Sequence, residues 1–137
     1  MTHLDFPGAI TRLHLLAGWL GFLAGALSGA LLGLRFHRDD WLGGYGSFQR
    51  RLLRLGHIAF FGLGFVNFVF AFTVKTVGLD GLLLLGASAA LLTGAISMPL
   101  VCFLSAWRAG CRRLFFVPVG SLLAGIACVL SNWLPAL

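Results

Sequence analysis

Charge is what this sequence has least of. Only 10% of its 137 residues are charged, while 59% are apolar. An ordinary soluble domain carries roughly a quarter charged residues, and a small domain buries only part of its apolar surface. Acid is scarcer still, limited to Asp5, Asp39, Asp40 and Asp80, all outside the apolar stretches. Proton-coupled export needs an acid within the membrane, and acid–base or nucleophilic catalysis needs paired groups at workable spacing. Neither is present, so the sequence predicts a non-enzymatic chain and ranks a small transporter or channel below structural and binding roles. Cysteine is confined to Cys102, Cys111 and Cys128. They form no CxxC, which argues against a zinc ribbon or redox pair and leaves them as small packing thiols. Residues 1–10 hold no Lys or Arg, so the basic leader of a cleavable signal is missing and the first apolar run is expected to stay as an anchor.

What the chain does have is four long apolar runs, at 13–34, 55–74, 82–104 and 114–134, none containing Asp, Glu, Lys or Arg. Each meets the roughly 20-residue length of a membrane-spanning helix. Membrane barrels show alternating segments of about 10 residues instead, and a helix satisfies its own backbone in lipid. The predicted fold is an all-α integral membrane protein, a four-transmembrane-helix antiparallel bundle forming one domain over 1–137. Its helices fall at approximately 13–34, 48–74, 82–106 and 114–134. The short connections, including a turn with Gly78 and Gly81, place sequential helices side by side.

The net charge of +6 is unevenly distributed. Arg35, Arg38, Arg50, Arg51 and Arg54 surround the first connection, and Arg108, Arg112 and Arg113 lie in the third. Only Arg12 and Lys75 fall on the other side. Such asymmetry marks the cytoplasmic face, so both termini are expected outside, in a bacterial inner membrane. The arginines are read as topology signals that also meet lipid headgroups, not nucleic acid. The first connection, 35–54, also carries Trp41, Tyr45 and Phe48, three glycines and two aspartates. It reads first as an interfacial loop with a local ion-pair cluster, and second as a docking surface or lid. Ser47 is placed to cap the next helix. The glycines lack the GK[ST] ending of a phosphate loop.

Two helices carry distinctive faces. In the first, Gly21, Gly25, Gly29 and Gly33 recur every four residues, with Ala17 extending the series, which predicts close backbone approach by another helix. The partner is either another helix of this chain or another subunit. Smaller series recur at Gly86, Ala90 and Gly94, and at Gly120, Ala124 and Cys128. In the second helix, His57, Phe61, Gly64 and Phe68 share a face, where an imidazole and aromatic walls suit a haem or quinone. The competing reading is a packing surface with an interfacial histidine.

His14 sits near the outer end of the first helix and His57 near the inner end of the second, so they cannot share a metal across a roughly 30 Å core. His3 with His14, and His37 with His57, are same-side pairs without a recognised metal spacing. All four read most simply as interfacial anchors. Asn67 is expected to bond to a neighbouring helix through Ser88 or Thr93, for about 1 kcal/mol. Pro99 is expected to kink the third helix, with Thr93 and Ser97 satisfying the freed groups. The sequence therefore predicts a non-catalytic accessory or structural subunit of a larger membrane complex, such as a respiratory or photosynthetic electron-transport assembly. Its partners would be membrane lipids and other membrane subunits in a hetero-oligomer. No cofactor is required; the alternative is a subunit that itself binds haem or quinone.

Overall fold

The computed structural model describes residues 6–134. Four helices in it are long and apolar enough to cross a membrane. The first, α1 (Phe6–Gly33), starts two turns before the apolar run. Pro7 has the φ of a helical first turn already set, and Thr11 returns its hydroxyl to the Pro7 carbonyl at 2.9 Å. At 1.5 Å per residue α1 is about 42 Å long, so it overreaches a hydrocarbon core of about 30 Å.

Helix α2 (Phe48–Thr73) is capped by Ser47, whose hydroxyl accepts the Arg50 N–H at 3.2 Å, as its position in the sequence suggests. It runs out through a single π-helical turn, Val74–Gly78. Gly78 and Gly81 then adopt φ of +76° and +66°, a region open to glycine at little cost. Helix α3 (Gly81–Trp107) and α4 (Phe116–Trp133) are joined by a 3-10 stretch, Ala109–Phe115.

Each helix packs against its neighbour in sequence, so adjacent helices run antiparallel. The series is open. α1 touches α3 only along a short stretch, and α1 and α4 form opposite edges whose leucines face outward. Two apolar clusters hold the ends together. Ile10, Phe70, Val74, Leu79, Leu84, Ala87 and Leu91 form one. Leu52, Leu53 and Ala106 form the other, at the arginine-rich end, with Trp41 and Leu42 of the first connection folded onto it. Leu42 adopts φ +53°, a left-handed conformation that costs a non-glycine residue roughly 1–2 kcal/mol and that burial against this cluster offsets.

The α1 glycine series meets α2 within the same chain. A Cβ on Gly21 would lie 3.0 Å from the Phe60 carbonyl and 3.2 Å from Gly64 Cα, so here backbone meets backbone. Gly18 receives the ring of Phe68, Gly25 that of Phe61 and Gly29 the imidazole of His57, whereas Gly33 faces open space. The face His57–Phe61–Gly64–Phe68 is thus the complement of the glycine groove. A flat cofactor ring has no room between these surfaces unless α1 moves away.

The α3–α4 seam departs partly from the sequence pattern. Gly86 and Gly94 of α3 do face α4, against Cys128 and Leu122. The α4 side, however, presents Pro118 and Gly125 at its buried positions, while Ala124 is exposed and Gly120 has no neighbour within contact. Cys102, Cys111 and Cys128 are all unpaired thiols.

Candidate functional site

Three polar side chains from three helices meet in the half of the molecule away from the arginines. His14 of α1 is fully buried. Its Nδ1 lies 2.6 Å from Asn67 Oδ1 on α2, and its Nε2 lies 2.9 Å from Ser88 Oγ on α3. The ring also stands edge-on to Phe70, with centroids 4.4 Å apart. The partners determine the tautomer. Asn67 Nδ2 donates to the Leu63 carbonyl at 2.7 Å, which leaves Oδ1 as the acceptor facing His14. His14 therefore donates from Nδ1 and accepts the Ser88 hydroxyl proton at Nε2. Both ring nitrogens, the Asn67 Oδ1 and the Ser88 hydroxyl proton are thereby satisfied, as burial in apolar surroundings demands.

This arrangement corrects the reading of His14 as an interfacial anchor. Its ring is buried between the helices, in contact with Asn67 and Ser88. Asn67 does bond across helices, and Ser88 belongs to the same network, but His14 stands between them. Thr93 is not involved and returns its hydroxyl to the Ala89 carbonyl at 2.8 Å. Ser97 does the same toward Thr93 at 2.6 Å. Neither hydroxyl goes to the Ala95 carbonyl, to which Pro99 has no N–H to offer. α3 runs unbroken through Pro99 from Gly81 to Trp107.

Beside this network lies a cleft of about 450 Å³. Phe60, Leu63, Gly64 and Asn67 of α2 form its floor, and of these Leu63, Gly64 and Asn67 are buried. Ala17, Leu20, Gly21 and Ala24 line the α1 side, and Ala95, Ile96, Pro99, Leu100 and Phe103 are among the residues lining the α3 side. Leu20, Ile96 and Leu100 are each more than half exposed, so the cleft opens sideways toward the apolar phase. Asn67 is the one polar side chain in its lining. The amide nitrogen carries two protons, Leu63 takes one, and no described residue takes the other.

His57 lies at the other end of α1. Ser28 Oγ donates to the Gly25 carbonyl at 3.0 Å, so the contact of 3.2 Å between Ser28 Oγ and His57 Nδ1 is a donation by the imidazole. Counting 14 residues from His14 to Ser28, the two histidine sites stand about 21 Å apart along α1. His37 is exposed and makes no hydrogen bond to His57, and His3 lies outside the described residues. Among the described residues no group of three His, Cys, Asp or Glu side chains is placed to hold a metal.

The arginines of the first connection are held by aromatic rings and carbonyls. Arg50 is buried beside Trp41 and Phe36, and Arg54 lies over Tyr45. Arg35, Arg38 and Arg51 are exposed. The expected ion-pair cluster is not formed: among the described residues neither Asp39 nor Asp40 pairs with an arginine. Both aspartates are exposed in the turn. No family model, curated protein or solved structure matches this chain.

Proposed function

We propose that this chain is a non-catalytic subunit of a membrane assembly that holds a lipophilic, carbonyl-bearing molecule of the quinone class in the cleft between α1 and α3. The observation that supports this most directly is the spare amide proton of Asn67 at an otherwise apolar cleft. Ligand sites of this kind are mostly apolar concavities of about 300–1,000 Å³ with a few fixed polar groups. The amide is held by His14 and Leu63, so little ordering is left for binding to impose. A quinone carbonyl accepts one hydrogen bond from it, and the mouth beside Leu20, Ile96 and Leu100 lets an isoprenoid tail lie along the bilayer.

The reading is tested with detergent-purified protein and a photoreactive short-chain quinone. Crosslinks are expected to map to the cleft-lining parts of α1 and α3. Ala95→Phe fills the cleft without touching the His14 network and is expected to weaken binding by about tenfold or more. Binding that does not saturate, or that Ala95→Phe leaves unchanged, would rule the reading out.

A further inference from the structure

The arginine-rich end holds a buried cation whose in-plane donors are incompletely used. Arg50 is 2% exposed. Its Nη2 donates to the Arg38 carbonyl, and the guanidinium carbon lies 5.3 Å from the Trp41 ring centre and 5.9 Å from that of Phe36. Its Nε–H has no partner. Aromatic faces stabilise a cation through their quadrupole, but they accept no hydrogen bond from the guanidinium edge. One turn on, Arg54 lies over Tyr45 at 4.5 Å and donates Nη2 to the Tyr45 carbonyl at 3.3 Å. Residues four apart share a helix face, so the two guanidinium groups stand on one side of α2.

Among the described residues no carboxylate pairs with either of them. The α2 N-terminus, with no acid in its first turn, adds a partial positive charge of its own. A buried unpaired guanidinium is costly, and these features call for an anion with more than one acceptor oxygen. Phosphate matches the planar guanidinium fork better than a single carbonyl does. At this same end Leu31, Leu34 and Leu55 are exposed, leaving apolar surface beside the arginine pair.

We propose that Arg50 and Arg54 form a binding site for the phosphate group of an anionic membrane lipid. Arg54, half-buried at the surface, makes the outer contact, and the Nε–H of Arg50 makes the inner one. The exposed leucines receive the acyl chains. This site is distinct from the cleft and does not depend on what occupies it. It also differs from a diffuse basic surface, because it assigns binding to two of the eight arginines at this end.

Native mass spectrometry of the detergent-purified chain tests the assignment, with phosphatidylglycerol, phosphatidylcholine and inorganic phosphate as probes. Phosphatidylcholine carries the same phosphodiester but adds a trimethylammonium that the two guanidinium groups repel, so phosphatidylglycerol is expected to be retained about tenfold better. Arg54→Gln is expected to bring that preference close to unity. Arg50→Lys keeps the charge but loses the Nε donor, and retention is expected to fall several-fold. Arg112→Gln removes a like charge from the same end, where Arg112 is exposed and stacked 3.8 Å over Phe48 on a different face of α2. It is expected to leave the preference intact. Displacement by inorganic phosphate would show that an anionic phosphate suffices without acyl chains, and resistance to it that the acyl chains contribute; both results support the site. Equal retention of the two lipids overturns it, as does an Arg112→Gln loss equal to that of Arg54→Gln. Should Arg50→Lys fail to fold, the comparison of Arg54 with Arg112 still decides.

Discussion

Removing the imidazole of His14 would strand an amide oxygen and a hydroxyl in apolar surroundings. Ser88 has an alternative, because a serine in a helix can return its hydroxyl to the carbonyl four residues earlier. Asn67 Oδ1 has no described partner besides His14. His14→Leu is therefore expected to destabilise the fold by about 2 kcal/mol, and Ser88→Ala by less than about 1 kcal/mol. Unfolding in mixed micelles by titration with a denaturing detergent measures both, and equal losses would contradict this account of the network. Asn67 was legible as a residue that needs a partner within a span, with Ser88 one of its candidates, whereas His14 was read as an interfacial anchor. The convergence of the three was not legible, because it depends on how far each helix slides along its neighbour. α1 begins at Phe6 instead of near Leu13, so two helical turns precede His14, which is buried within the helix instead of lying at its end. For the same reason sequence reasoning favoured His57, whose aromatic neighbours share its helix face.

At the scale of the helix, the glycine series of α1 ties that helix to the rest of the chain. A leucine at Gly25 would collide with Phe61, whose ring already lies 2.6 Å from an added Cβ, and a leucine at Gly29 would collide with His57 at 2.5 Å. Each is expected to cost about 1–3 kcal/mol as the α1–α2 seam opens. Gly33→Leu meets nothing and should be close to neutral. The same micelle titration separates the three. A Gly33→Leu loss as large as the other two would place the glycine contact outside this chain. The four-residue spacing announced a close helix contact, and the phenylalanines on α2 announced bulk, but neither names the other as its partner. Only the structure shows that the two patterns interlock. The α4 side was less legible. Its small residues at Gly120 and Ala124 are spaced like a contact, yet Pro118, Gly125 and Cys128 supply the seam.

For the whole molecule, composition and run length were sufficient for fold class. Four stretches without charge leave little choice but four spanning helices, and short connections leave little choice but neighbouring ones. The open order of the series was not legible, since no local pattern says whether α4 returns to α1. The cleft is lined by α1, α2 and α3, with no residue of α4 in its lining. Orientation rests on the distribution of arginine, eight residues at one end against Arg12 and Lys75 at the other. Both termini are expected outside, so reporter fusions at Gly44 and Gly110 should register the cytoplasm and one at Leu137 the exterior. The reverse pattern would invert the molecule without altering its packing.

An array in which the most extensive packing joins consecutive helices also has a consequence for biosynthesis. No helix has to wait for a distant segment before it finds its main partner. α1 and α2 can close their glycine seam as soon as both have left the ribosome, α3 then adds Ser88 to a waiting imidazole, and α4 docks last onto a surface already built. Contacts between consecutive helices of this kind favour stepwise assembly. The half-finished hairpin would carry His14 and Asn67 already paired, with Nε2 still seeking its hydroxyl. Arrival of α3 removes that unsatisfied acceptor, so the last bond of the network also records that the third helix has inserted in register.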